Sequence, residues 1–143
     1  MSPLSAIPIQ APTIDAILHG AKKWEIRSKF TKKIGPVALI RAKSGTVVGT
    51  ATLAEVIRLT PELAYENTDK MWFRRLTRKE AATLDGQYAW VLKDVVKFKN
   101  PVPYKHPYGA VTWVTLDEDT TKKVLEEAER SNLNKRNSSK PVL

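Results

Sequence analysis

Residues 36–42, Pro-Val-Ala-Leu-Ile-Arg-Ala, form an almost unbroken apolar run. A short run of this kind reads as a strand at the centre of a sheet. The following Lys43-Ser44-Gly45-Thr46 reads as a hairpin turn by its Ser-Gly step, and Val47 to Ile57 as the return strand. This hairpin is the strongest constraint on the fold, because the rest of the chain has to be arranged around it. Gly49 inside the return strand marks a bulge or the close approach of another backbone.

The flanking segments are short. Ser5 to Gln10 reads as a strand closed by Ala11-Pro12, and Thr13 as the cap or first turn of a helix to His19. Gly20 stands where a helix ends in a left-handed residue. Lys23 to Arg27 alternates as a strand does, so Trp24 and Ile26 are expected inward, with Lys23, Glu25 and Arg27 on the other face. Ser28 to Gly35 is a lysine-rich loop, and Pro61 starts a short helix to about Asn67. The basic segment Lys70 to Lys79 contains Trp72, read as packing onto the barrel or capping a cleft. Thr77 and Glu80 have capping-box spacing for a helix over 78–84. Tyr88 to Leu92 and Val95 to Phe98 read as separate strands, 100–104 as extended, and Ala110 to Leu116 as a last strand. Asp117 to Arg130 is an amphipathic helix. Many short strands with few small helices predict an α+β, β-barrel-like domain over residues 1–130, followed by a polar flexible tail, 131–143.

Charge narrows the function classes. The chain carries 24 Lys+Arg against 15 Asp+Glu, a net +9. Residues 117–143 are balanced, with six bases and six acids, so the excess lies before them. Lys22 to Lys43 holds eight bases and one acid, Glu25. A basic domain predicts a polyanionic partner, RNA or DNA ahead of anionic lipid; the plainer alternative is a solvated surface. With no cysteine, disulfides, thiolate metal sites and a Cys nucleophile are excluded, and a reducing, cytoplasmic setting is expected. The two histidines, His19 and His106, match no metal-binding spacing, so no metal or cofactor is expected. No apolar run is long enough for a membrane span or a signal-peptide core.

Gly20-Ala21-Lys22-Lys23-Trp24-Glu25-Ile26-Arg27 resembles the Gly-x-Lys-x-x-Glu-x-Arg signature of the ASCH domain family. Ile40 to Gly45 with Val48-Gly49 is similar to the family's central hairpin. Tyr88 to Leu92, Pro101 to Tyr104 and Gly109 to Trp113 are similar to its C-terminal half. The resemblance spans roughly residues 5 to 116 in the right order. It implies a PUA-like β-barrel, a fold associated with RNA binding and RNA modification, with a cleft lined by the signature. In ASCH amidohydrolases of N4-acetylcytidine, a Thr nucleophile stands three residues after the signature Lys. Here Lys22 carries over, but that third position is Glu25. Other ASCH relatives are described as ribonucleases, an activity open to Lys and Tyr as acid and base.

The residues themselves allow specific roles. Glu25 can accept hydrogen bonds from a base edge such as a cytosine amino group, act as a general base, or form an ion pair with Arg27 or Lys22; the signature favours a functional role. Lys22 suits phosphate contact, and if catalytic acts with Glu25. Lys23 is expected to be merely exposed. Arg27 can orient Glu25 or touch ligand. Lys43 and Ser44 sit at a hairpin tip, either binding or simply turning the chain. Tyr104, Lys105, His106 and Tyr108 form an aromatic-basic cluster suited to stacking unstacked bases. The expected partner is RNA, single-stranded rather than duplex, or a nucleotide. The rival expectation is an RNA-directed hydrolase of the same fold, and a weaker one is a protein adaptor using residues 117–143.

Overall fold

The computed structural model describes residues 2–71 and 74–138, with side chains through 135. Trp72, singled out above, lies outside the described residues. The elements in chain order are β1 (Ser5–Ile9), α1 (Thr13–Leu18), β2 (Trp24–Arg27), β3 (Gly35–Arg41), β4 (Thr46–Arg58), α2 (Pro61–Glu66), α3 (Thr68–Met71), α4 (Arg78–Ala82), β5 (Tyr88–Pro103), β6 (Val114–Thr115) and α5 (Glu118–Ser138).

The strands form one mixed six-stranded sheet, ordered β2-β5-β4-β3-β1-β6. Only β1 and β3 run parallel; the other pairs are antiparallel. The sheet curls into a half-barrel, the α+β architecture expected from the sequence. Its centre is the predicted hairpin. Alternate residues of β3 enter opposite layers: Val37 and Leu39 join Ile7, Ile9, Ile14 and Ile17 beneath α1, while Ala38 and Ile40 join Phe98, Val102 and Val124 beneath α5. The capping box of Thr77 and Glu80 is formed. Gly49 fulfils the close-approach expectation, since a Cβ there would stand 2.5 Å from the Val96 carbonyl oxygen and 2.7 Å from Leu18 Cδ2.

Three expectations change. The two strands and extended segment predicted over 88–104 are one sixteen-residue strand, β5. Register shifts against β4 absorb its polar interruption, where Asp94 takes a φ of 51°. The last strand shrinks to Val114–Thr115, paired with Ser5 and Ala6. The last helix does not stop at Arg130 but runs to Ser138, so 131–138 is helix rather than the flexible tail expected; 139–143 lie outside the described residues. The cause is tertiary. Buried Glu127 accepts from the Asn100 amide at 3.1 Å and from Ser131 Oγ at 2.8 Å, and Ser131 Oγ accepts from the Lys99 amide at 3.1 Å. These bonds latch α5 to β5 across the boundary that polarity suggested.

Candidate functional site

The turn after α1 sets the site. Gly20 has a φ of +81°, a left-handed conformation that favours glycine. It lets the Ala21 and Lys22 amides both bond back to the Ala16 carbonyl, at 2.9 and 3.1 Å. An ion pair from Arg41 to Asp15 fastens α1 to the end of β3. The chain then enters β2, with Glu25 opposite Trp90 of β5.

Strand alternation does the rest. Trp24 and Ile26 pack with Leu59, Met71 and Ala89, as expected. Glu25 and Arg27 point the other way. Glu25 is 7% exposed, yet it lines a cavity of about 300 Å³ together with Pro8, Ile9, Gln10, Thr13, Arg27, Ala42 and Val111. Lys22 Nζ stands 3.7 Å from Glu25 Oε1, and Arg27 Nη2 stands 3.3 Å from Oε2. The Ile26 amide also donates to Oε1, at 3.2 Å. Arg27 Nη2 donates to the Pro8 carbonyl at 2.7 Å, tying β2 to β1 across the cavity. The carboxylate is thus both ion-paired and presented to a concavity.

Lys22 bridges two spaces. Its ammonium reaches Glu25, while its side chain lines a second, larger cavity of about 540 Å³. Burial pushes its pKa below the ordinary lysine value; Glu25 opposes that shift and Arg27 adds to it. Lys23 does not share a strand face with Glu25, because β2 begins at Trp24; it is exposed and faces the second cavity.

A stack of rings and cations backs the site. The Arg27 guanidinium lies 5.6 Å from the Trp90 ring centroid, Trp90 stacks on Trp113 at 5.4 Å, and Lys33 Nζ lies 5.0 Å from the Trp113 centroid. Trp24 and Trp90 are both buried, Trp24 as strand alternation led us to expect.

The remaining candidates lie elsewhere. Lys43 and Ser44 are exposed at the hairpin tip and do not line the Glu25 cavity. Ser44 Oγ donates to the Arg41 carbonyl at 2.7 Å and accepts from the Thr46 amide at 3.0 Å, so it shapes the turn. Tyr104 and His106 face each other, 2.8 Å from hydroxyl to Nδ1, and His106 Nε2 donates to the Ala110 carbonyl at 2.8 Å. They brace the segment that carries Val111 to the cavity rim. Partial burial raises the Tyr104 pKa. Tyr108 stands fully exposed beside them. Gln10, Thr13 and Val111 were not read as site residues. Gln10 and Thr13 are brought to the cavity by the turn that follows β1, which the Arg27–Pro8 hydrogen bond ties to β2, and Val111 by a loop, so no local pattern marked them. Thr13 is the first helical residue and its side chain caps nothing. Among the described residues, no cluster of His, Asp or Glu has the makings of a metal site.

A mixed six-stranded sheet curled into a half-barrel, with several short helices, defines a class of fold. The chain belongs to the ASCH domain family, whose model matches residues 7–102. Among solved structures it is similar to the ASCH protein of Zymomonas mobilis, with a TM-score of 0.63 at 15% identity over 87% of this chain and 94% of that one. A Tyr-to-Phe variant of that protein gives a TM-score of 0.64 at 15% identity, over 87% and 97% of the two chains. Similarity at this identity speaks for the fold. No curated protein matches the sequence.

Proposed function

We propose that this protein binds single-stranded RNA and accepts one unstacked base in the Glu25 cavity. One observation carries the reading: a buried carboxylate, held by Lys22 and Arg27, faces a cavity of about 300 Å³ in a strongly basic domain. That volume is at the lower end of the range of small-ligand sites. A carboxylate offers about four acceptor positions. Lys22 and the Ile26 amide occupy Oε1, whereas Arg27 alone engages Oε2. Oε2 therefore retains an acceptor position for an exocyclic amino group, as on cytosine. The surrounding lysines supply sequence-independent attraction to phosphates. RNA metabolism is the setting this implies, with DNA as the weaker candidate.

A salt titration with labelled oligoribonucleotides and oligodeoxyribonucleotides tests the reading. Affinity is expected to fall steeply with ionic strength, and Glu25→Gln to lose about 1–3 kcal/mol of discrimination between bases. Binding that ignores salt, or is absent at low salt, overturns it.

The Lys22–Glu25 pair favours a second reading, an RNA-directed hydrolase. A half-buried lysine with a lowered pKa beside a carboxylate has the makings of an acid–base pair. Incubation with RNA and with N4-acetylcytidine separates cleavage or deacetylation from binding. Turnover unchanged in Lys22→Ala and Glu25→Gln would remove these residues as catalysts.

A further inference from the structure

The loop between β2 and β3, Ser28-Lys29-Phe30-Thr31-Lys32-Lys33-Ile34, contains no acid and presents an aromatic ring. Its own contacts hold it in place. The Lys29 carbonyl accepts from Trp90 Nε1 at 3.1 Å. Thr31 is buried, and its Oγ1 accepts from the Lys33 amide at 3.2 Å. Lys33 Nζ lies against the Trp113 ring. Phe30 is thus held between two anchored residues, yet it is 55% exposed. Its ring contact among the described residues is with Tyr88, edge to face, at 5.7 Å.

An exposed apolar side chain means little by itself. Position gives this one a use. In the pairing of β2 with β5, Trp90 stands opposite Glu25 and Tyr88 stands opposite Arg27. Directly opposed residues share a sheet face. Arg27 lines the Glu25 cavity, and Phe30 packs on the residue across from it. The ring therefore lies beside the cavity, at the end where β2 stops.

A strand that places one base in that cavity leaves the next base without its stacking neighbour. A ring fixed before binding replaces that neighbour at little cost in side-chain entropy. Lys29 and Lys32 flank it, both exposed and neither ion-paired among the described residues, and they add attraction for phosphates. Lys32 and Lys33 separate Phe30 from Ile34, the other exposed apolar residue of the loop. Such a broken surface suits flat bases on a polyanion better than a lipid tail or an apolar protein face.

We propose that Phe30 is the stacking platform for the nucleotide next to the one in the Glu25 cavity. The proposal rests on the base-binding reading above and extends it from one nucleotide to its neighbour.

The test measures anisotropy of the full chain with a short oligoribonucleotide, intact or carrying one abasic residue at each position in turn. Phe30→Leu keeps the apolar bulk and loses the ring; it is expected to weaken the intact strand by about five- to a hundredfold. Phe30→Trp is expected to hold or raise affinity, and Ile34→Ala to match wild type. In wild type, abasic residues at two adjacent positions are expected to weaken binding. Glu25→Gln should shrink the penalty at one, and Phe30→Leu at the other, because ring and base are then lost together. If Phe30→Leu leaves every abasic penalty unchanged, or Ile34→Ala weakens RNA as much as Phe30→Leu does, the platform is overturned. If Phe30→Leu binds RNA like wild type but no longer binds phosphatidylserine vesicles, the loop is a lipid contact and the proposal is wrong. If Glu25→Gln weakens RNA while Phe30→Leu does not, the platform fails and the cavity stands. If one position answers to Phe30→Leu and none to Glu25→Gln, the ring binds RNA and the cavity reading fails. No RNA binding at low salt overturns both.

Discussion

Lys22 is the residue in which the tension between stability and function is easiest to measure. Burial disfavours its charged form, so its folded pKa lies below the unfolded value. Between those two values the unfolded chain binds more protons, and stability rises with pH. Below the folded value the penalty is present in full. The stability of wild type relative to Lys22→Met is therefore expected to improve as pH rises from 8 toward about 10.5, the ordinary lysine value. Urea unfolding across that range checks the sign, and a gap that stays flat or widens against wild type contradicts it. At His106 both ring nitrogens are engaged, so the residue reads as a brace rather than an acid–base group. His106→Ala is expected to speed amide exchange at Ala110 and its neighbours and to cost no more than about 0.5–1.5 kcal/mol per hydrogen bond. Much of this scale was legible beforehand. The alternation around Trp24, the ion pairing of Glu25 and the turn at Gly20 follow from local spacing. For Ser44 the turn-shaping role was one of the two readings open at the hairpin tip. The role of His106 was not legible, because one of its partners is a backbone carbonyl whose position only the folded loop defines.

At the scale of elements, α5 departs most from the sequence reading. Ser131, Asn132 and Asn134 are poor helix formers, and the polar run beyond Arg130 carries no periodicity. What extends the helix is the contact of Glu127 and Ser131 with the amides of Asn100 and Lys99. Strand β5 was divided for a related reason: Lys93-Asp94 interrupts its pattern, and only the resumed pairing with β4 on either side of that irregularity shows that the strand continues. Glu127→Ala leaves the Asn100 amide without its acceptor and is expected to cost about 1–3 kcal/mol in denaturant unfolding. Burial raises the Glu127 pKa most, but the bonds from Ser131, Asn100 and Arg130 together outweigh it and hold the carboxyl below its ordinary value. Its contribution is thus complete above the unfolded carboxyl value and lost as pH falls through the folded one. The pH profiles of wild type and Glu127→Gln are expected to converge in acid; profiles that stay parallel would show the carboxyl to be unshifted.

For the molecule as a whole, Gly49 marks where α1, β4 and β5 converge. A methyl group there meets the Val96 carbonyl and Leu18, and backbone cannot yield as a side-chain tip can. Gly49→Ala is expected to destabilise the fold by about 1–3 kcal/mol, the usual cost of overpacking. It should also displace α1, and with it Leu18, His19 and Gly20, so RNA affinity should fall in protein that remains folded. Calorimetry and anisotropy on the same samples check both effects. Overall architecture was readable because the central hairpin and the strand-rich pattern allow few arrangements. The cavities were not, since each is walled by segments far apart in the chain.

The pile of Arg27, Trp90, Trp113 and Lys33 gives the protein a built-in optical gauge. Indole emission responds to the electric field across the ring. A guest that draws the guanidinium toward itself alters that field at Trp90 without touching the indole. Occupancy should then be readable as a change in the colour or brightness of intrinsic fluorescence, with no dye attached.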